Sequence, residues 1–137
     1  MTLEYTELVR AAQAARRRAY APYSHFQVGA AALSASGRMF PGCNIENAAY
    51  PATVCAERTA LFSAYTAGER EIVALAIVTD TPDPASPCGT CRQVIRELAP
   101  ECTVVLANMR GDVCVTTPEV LLPGAFTSQE LRAGQEE

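Results

Sequence analysis

The segment Cys88-Gly89-Thr90-Cys91 carries two thiols about one helical turn apart, at a point where a helix is predicted to begin. A helix N-terminus lowers thiol pKa values through its dipole and its unpaired amides, which favours the thiolate that zinc requires. Two thiolates do not complete a zinc site. Cys55 is the best candidate for a third, because it falls in the first turn of another predicted helix. The sequence therefore predicts a zinc site at which two helix N-termini converge.

Two charged residues that follow Cys55 fit the surroundings of a catalytic zinc. Glu57 stands two residues on, and side chains at i and i+2 of a helix point apart, so it is a poor fourth ligand. Three protein ligands with an open position are typical of catalytic zinc, and a water in that position needs a base. Glu57 is predicted to be that base, and Arg58 is predicted to support the sulfurs with its charge and its hydrogen-bond donors.

Two other kinds of protein remain open on the residues alone. The spacing of Cys88 and Cys91 also describes a thioredoxin-like dithiol, although that motif normally follows an early strand and here lies late in the chain. A zinc-stabilised binding module would need a fourth protein ligand, and the sequence nominates none clearly. The remaining cysteines, Cys43, Cys102 and Cys114, are interpreted as small buried hydrophobic residues.

Composition narrows the classes of function further. The 137 residues are 49% hydrophobic and 19% charged, which is typical of one globular domain. The net charge of −4 is unfavourable for binding a nucleic acid. All 11 basic residues are arginine, which excludes Schiff-base chemistry on a lysine. The longest apolar runs are far shorter than the roughly 20 residues of a membrane helix, and the first residues lack a signal peptide's apolar core. We therefore expect a cytoplasmic protein with no membrane partner.

The elements that position these residues follow from hydrophobic periodicity and turn signals. Helices are predicted over residues 3–19, 53–67 and 87–98, with a further short helix opening at Thr117-Pro118-Glu119, and strands over 26–33, 38–45, 72–78, 102–107 and 113–115. Residues 128–137 are predicted to be a polar, frayed tail. The pattern predicts an α/β fold, a three-layer sandwich of one mixed five-stranded sheet with helices on both faces, formed by residues 1–137 as a single domain.

The motifs together resemble those of a known family. Cys55-Ala56-Glu57 and Pro87-Cys88-Gly89-Thr90-Cys91 match the H-x-E and P-C-x-x-C segments of the zinc nucleobase deaminases, with cysteine in place of histidine. The surrounding stretches, residues 20–24, 26–30, 42–50, 55–60, 86–94 and 121–126, are similar to those of the small tetrameric cytidine deaminases. This resemblance extends over about residues 8–128. It implies one Zn²⁺ per chain and hydrolytic deamination of free cytidine and deoxycytidine, with ammonia as the second product.

The resemblance also implies how a nucleoside is bound. Asn44 and Glu46 would bind the ribose hydroxyls, Phe26 would pack against the base, and the Ala56 amide together with Glu57 would recognise the pyrimidine. Ile45 and Tyr50 are further implied substrate-binding residues, and Phe126 would complete a neighbouring subunit's site in a homotetramer. Residue chemistry independently places Asn44 and Glu46 on one side of an extended segment, where a polar strand end is the alternative interpretation. A deaminase of another aminated ring, such as blasticidin, also remains open.

Overall fold

The computed structural model describes residues 3–135, and its elements follow the predicted order. They are the helices α1 (Leu3–Arg16), α2 (Ala56–Thr66), α3 (Gly89–Leu98), α4 (Pro118–Leu121) and α5 (Ser128–Gln135), the 3₁₀ turn Tyr50–Ala52, and the strands β1 (Val28–Ser34), β2 (Met39–Cys43), β3 (Ile72–Thr79), β4 (Thr103–Asn108) and β5 (Val113–Thr116). None of the helices in this described range has the length and apolar character that a membrane span requires.

The five strands form one sheet in the order β2-β1-β3-β4-β5. β1 pairs antiparallel with both β2 and β3, β4 pairs antiparallel with β5, and β3 and β4 are parallel. The parallel pair is joined through α3, because parallel strands need a long crossover connection. Strand β3 is buried along nearly its whole length, as its continuous apolar run predicts. The predicted mixed five-stranded sheet is confirmed.

Helices cover both faces of the sheet, which confirms the predicted three layers. One core packs α2 and α3 against the sheet through residues such as Leu61, Leu75 and Ile95. The other core packs α1 against the opposite face of the sheet through Leu8 and Ala12. At Gly29 the helix α1 comes so close that an added Cβ would lie 1.9 Å from the Ala12 carbonyl oxygen. A residue without a Cβ is therefore required there.

The C-terminal segment differs from the prediction. Ser128–Gln135 is a helix rather than a frayed tail, and the last two residues of the predicted tail lie outside the described range. The backbone amide of Thr127 donates to Glu130 Oε2 at 2.8 Å, and the Gln129 amide donates to Thr127 Oγ1 at 3.3 Å. These contacts form a capping box. The sequence carries the signal for this motif, a threonine three residues before a glutamate, but the segment is polar and has no apolar face that would indicate a helix.

Candidate active site

The three predicted metal ligands lie together. The sulfur atoms of Cys55, Cys88 and Cys91 all lie within 4.8 Å of one another. A tetrahedral zinc with Zn–S bonds of about 2.3 Å separates its sulfur ligands by about 3.8 Å, so small movements suffice for all three to bind one ion. The arrangement fits a metal site of soft thiolate ligands.

Two helix N-termini form this cluster, as predicted, although each helix begins slightly later than expected. Cys55, not Thr53, is the N-cap of α2, and Cys88 is the N-cap of α3. Neither cysteine makes a side-chain capping hydrogen bond. Helix N-caps are usually Ser, Thr, Asp or Asn, whose oxygens accept a backbone amide. Cysteines at both caps instead direct sulfur atoms to the positive ends of two helix dipoles.

The pKa of the Cys55 thiol falls to about 5, chiefly because the Cys91 thiol hydrogen-bonds to it and also because Arg58 lies beside it. The guanidinium Nη2 of Arg58 lies 3.6 Å from the Cys55 sulfur and 3.4 Å from the Thr53 carbonyl oxygen. The same hydrogen bond with Cys55, together with burial, raises the pKa of the Cys91 thiol. Arg58 is thus placed to stabilise negative charge on the Cys55 sulfur.

Glu57 is a buried carboxyl group beside this cluster. It occupies the first turn of α2 and is only 4% exposed. Burial raises the pKa of Glu57, and the nearby Cys55 thiolate raises it further. An isolated buried carboxylate is costly, so a structural role alone would favour an apolar residue at this position. A carboxyl group with a raised pKa in a cleft is characteristic of acid–base catalysis.

Glu57 opens onto a cavity of about 340 Å³, a volume within the usual range of small-molecule sites. Seven residues predicted to belong to the site line this cavity: Phe26, Asn44, Glu46, Cys55, Ala56, Glu57 and Cys88. The lining also includes residues that the sequence analysis did not predict as site residues, namely Ser24, Val28, Thr53, Ile77, Thr79, Ala85, Ser86 and Pro87. The loop after β3 supplies the last three, and no spacing rule marks a loop residue as a cavity wall.

Asn44 and Glu46 both line the cavity, and both also hold the loop before β1. Asn44 Oδ1 accepts the Val28 amide at 2.8 Å, and its Nδ2 donates to the Phe26 carbonyl at 2.7 Å. Glu46 accepts the Ser24 amide and hydroxyl, and these contacts lower the pKa of its carboxyl group. Ser24 was not foreseen from the sequence. Its hydroxyl also accepts the Phe26 amide, a local bond common for serine in turns.

Five residues named from the sequence lie outside the cavity lining. One is the predicted ligand Cys91, which is buried. Arg58 lies beside the Cys55 sulfur. Tyr50 lines an adjoining depression of about 420 Å³ that shares Ser24, Glu46 and Thr53 with the cavity. Ile45 forms bridges with Tyr20 and Val54 and is 47% exposed. Phe126 is 61% exposed, and its carbonyl accepts Gln93 Nε2 at 2.8 Å. Within one subunit, Phe126 therefore presents its ring to the outside.

Two of the remaining cysteines depart from the interpretation as buried hydrophobic residues. Cys102 is buried as expected, and burial raises its pKa to about 12. Cys43 is only half-buried, and Cys114 is exposed on the edge strand β5. An edge strand has one partner, so a side chain there has fewer neighbours than the sequence pattern suggests.

Residues 3–107 match the sequence family described as the cytidine and deoxycytidylate deaminase zinc-binding region. The chain belongs to this deaminase family. A cytidine deaminase from Halalkalibacterium halodurans is 54% identical over 125 residues, which are 90% of this chain and 95% of that protein. The crystal structure of a cytidine deaminase from Burkholderia pseudomallei has a TM-score of 0.87 at 55% identity and covers 92% of this chain and 100% of that one.

The chain is also similar, at lower identity, to a deaminase named for blasticidin S, the alternative substrate considered above. A blasticidin-S deaminase from Bacillus cereus is 36% identical over 108 residues, which are 73% of this chain and 76% of that protein. The resemblance inferred from the sequence is confirmed at the level of the family. Membership of a zinc-binding deaminase family also argues against the thiol oxidoreductase interpretation of Cys88 and Cys91.

Proposed function

We propose that this chain is a cytidine deaminase that hydrolyses free cytidine and deoxycytidine to uridine and deoxyuridine with release of ammonia, as a step of pyrimidine salvage. The observation that carries the proposal is the position of Glu57. Its buried carboxyl group is close to the clustered thiols and lines, with Cys55 and Cys88, a cavity that Asn44 and Glu46 also line. The high identity to proteins named cytidine deaminase supports the same substrate.

Cys55, Cys88 and Cys91 would hold one Zn²⁺, because three soft thiolates within reach of one point favour zinc. Bound there with an open position, zinc supplies a Lewis acid that lowers the pKa of a water molecule. Three thiolates outweigh the charge of the ion by one. Arg58 and the two helix N-termini offset this excess negative charge.

Glu57 is the acid–base residue of the proposed reaction. Its carboxylate takes a proton from the attacking water and passes it to N3 of the cytosine ring. A new C4–O bond forms, the C4–N bond breaks, and Glu57 returns the second proton of the water to the departing amine. Cytidine and water thus give uridine and ammonia, and Glu57 ends as the carboxylate with which it began.

The nucleoside would be held by the residues around the cavity mouth. Asn44 uses one hydrogen and one lone pair on the backbone of the Phe26 segment. An amide has a second hydrogen and a second lone pair, which suit a ribose hydroxyl, and Glu46 adds a carboxylate acceptor. Phe26 packs against the base and the Ala56 amide recognises the pyrimidine, while Ile45 and Tyr50 border the sugar.

We also propose that the whole chain acts as one domain in a cytoplasmic homotetramer, with Phe126 completing a neighbour's site. The resemblance of residues 121–126 to the small tetrameric cytidine deaminases supports this role, and the exposed Phe126 side chain is accessible to a neighbouring subunit. The net charge of −4 favours a neutral nucleoside over a nucleotide or a nucleic acid. No nucleic acid or membrane is expected among its partners.

One experiment tests the function and its main alternative together. Zinc per chain is measured on the purified protein, and the ultraviolet absorbance change is followed with cytidine, deoxycytidine and blasticidin S in parallel. We expect one zinc per chain and turnover of both nucleosides. Turnover of blasticidin S alone would assign the chain to the other aminated ring. Zinc without turnover of any of the three compounds would favour a zinc-stabilised binding module.

A further inference from the structure

Arg92 follows the predicted zinc ligand Cys91 directly and has no part in the chemistry above. Its guanidinium donates three hydrogen bonds, from Nε to the Pro87 carbonyl at 2.8 Å, from Nη2 to Ser86 Oγ at 2.8 Å and from Nη1 to the Leu121 carbonyl at 2.7 Å. The side chain therefore folds back over the start of its own helix. It connects the segment before Cys88 to the end of α4.

The segment that Arg92 holds forms one wall of the cavity and leads to Cys88, one of the three clustered cysteines. Ser86, Pro87 and Cys88 all line the cavity. The loop from Asp80 to Pro87 contains three prolines, which have no amide hydrogen to donate. In the part of the chain that the structure describes, no backbone–backbone hydrogen bond anchors residues 80–87. Side chains must therefore hold this loop in place.

The start of the loop is held by an ion pair between Arg16 and Asp80 and by a hydrogen bond between the Thr79 and Thr81 hydroxyls. Two further side chains act at its opposite ends. Asn108, fully buried at the end of β4, donates Nδ2 to the Thr81 and Pro82 carbonyls. Arg92 holds the other end, next to Cys88. The third acceptor of Arg92 belongs to Leu121, a buried core residue, so the guanidinium joins the loop to a fixed part of the fold.

We propose that Arg92 is a positioning residue for the metal centre: it fixes Ser86 and Pro87 so that the Cys88 sulfur and the adjoining cavity wall stay in place. This inference rests on the proposed zinc site and substrate cavity. Arginine suits the task because its planar guanidinium presents several donors in a rigid fork. A lysine ammonium offers a single point of charge and cannot serve three acceptors on two elements from the same position.

The test compares Arg92→Gln and Arg92→Lys with the parent protein. The first readout is the rate at which the intact protein releases zinc to a chromophoric chelator, and the second is kcat and KM for cytidine. Loss of charge-assisted hydrogen bonds should speed zinc release roughly tenfold in Arg92→Gln and raise KM more than it lowers kcat. The zinc-release rate and KM of Arg92→Lys should lie between those of Arg92→Gln and the parent, because lysine keeps one donor group near the loop.

Arg96→Gln is the matched control, because Arg96 lies one turn further along the same helix and borders a different depression. It should release zinc at the parent rate. Parent-like zinc release in Arg92→Gln, or equally fast release in Arg96→Gln, would overturn the inference. If Arg92→Gln does not fold, as judged by circular dichroism, Arg92→Lys decides by the same readouts. A parent protein that binds zinc but does not turn over cytidine would contradict the proposed function and leave the zinc-release comparison valid.

Discussion

A carboxyl group that both takes up and delivers protons works best when its two protonation states differ little in free energy at the working pH. An exposed glutamate is too weak a base for that task. Burial of Glu57 beside the Cys55 thiolate shifts its pKa upward, in the required direction. The buried position of Glu57 thus provides the proton affinity that the reaction needs.

Glu57→Gln tests this role at the level of one functional group. The amide keeps the shape of the side chain and removes the proton acceptor. We expect zinc content to stay at the parent level while kcat falls by roughly 10²–10⁴, the usual contribution of an acid–base residue. Glu97→Gln, on the exposed side of α3, is the control and should keep parent activity. Near-parent turnover in Glu57→Gln would show that the carboxyl group is only structural.

Asn44→Ala separates sugar recognition from loop support. The change removes the proposed ribose contact and also the bonds to Phe26 and Val28. We therefore expect kcat/KM to fall at least roughly tenfold with cytidine, as for a lost hydrogen bond to a buried partner, and less with free cytosine, which has no sugar. Asn47→Ala, a nearby exposed asparagine, should change neither value. Equal losses on the two substrates would confine Asn44 to holding the loop.

Residue types and spacing predicted the candidate ligands and base of the site, but not the side chains that hold the surrounding loops in place. Cys88 and Cys91 are marked by their C-x-x-C spacing, and Cys55 by its place in the first turn of a predicted helix. Glu57 is predicted as the base because it is close in sequence to Cys55 but poorly placed as a ligand. Ser24 and Arg92 act across 22 and 29 residues, toward Glu46 and Leu121 respectively. No local pattern encodes such contacts, since they depend on how distant elements pack.

At the level of elements, the cluster joins the starts of α2 and α3, which face the same side of the sheet. Because both helices contribute thiols to the cluster, a bound metal would link their N-termini. Sequence reasoning placed both helices correctly but began them at Thr53 and Pro87. The difference arises because threonine is a common N-cap and proline a common first-turn residue, whereas the observed N-caps are the cysteines themselves.

Cys88→Ala tests this link between helices. Removing one thiolate leaves two protein ligands, so zinc should be lost on purification, and the melting temperature should fall below that of the zinc-loaded parent. Differential scanning calorimetry and metal analysis on the same samples provide the measurement. Cys114→Ala, which removes an exposed thiol from β5, should keep both zinc and the parent melting temperature. A zinc-free Cys88→Ala protein that melts with the loaded parent would show that the metal stabilises nothing.

The capping box of α5 predicts a pH dependence confined to the C-terminal helix. Hydrogen bonds from Thr127 lower the pKa of Glu130 below its ordinary value of 4.5. A lowered carboxyl pKa means that the contribution to stability is complete above the ordinary pKa and is lost as the pH falls through the lowered one. We expect amide exchange in residues 128–135, corrected for intrinsic rates, to accelerate below about pH 4.5. Glu130→Gln should show fast exchange at pH 7 as well, and unchanged protection in that variant would contradict the role of the carboxylate.

On the scale of the whole molecule, the fold was predictable because its central strands are apolar on both faces. The run over β3 and the alanine-rich β1 are compatible only with a sheet covered on both sides. The order of the strands was not predictable, since apolar runs carry no information about which neighbour they choose. The role of Phe126 was likewise inferred from the resemblance alone, because the sequence of a single chain does not indicate which exposed aromatic residues contact a neighbouring subunit.

Phe126→Ala tests the shared site. If the ring reaches a neighbour's cavity, the change should raise KM for cytidine by roughly three- to tenfold, as for a lost aromatic contact, with zinc content unchanged. Val120→Ala, also an exposed hydrophobic residue of the C-terminal part, is the control. Oligomer mass is measured by light scattering on both variants and on the parent. A fully active monomeric parent would refute the shared site.

The proline-rich loop after β3 divides the proposed ligand set as well as the chain. Residues up to Asp83 contain Cys55 and Glu57, whereas residues from Pro84 onward contain Cys88 and Cys91. Asp83 is exposed, so the backbone there can be cut without opening the core. Neither fragment would carry a complete metal site, and the parallel pairing of β3 with β4 would have to be rebuilt between them. Cleaved at this loop, the protein would become a two-part reporter: zinc binding and the ultraviolet absorbance change of nucleoside turnover would both show that the two fragments have associated.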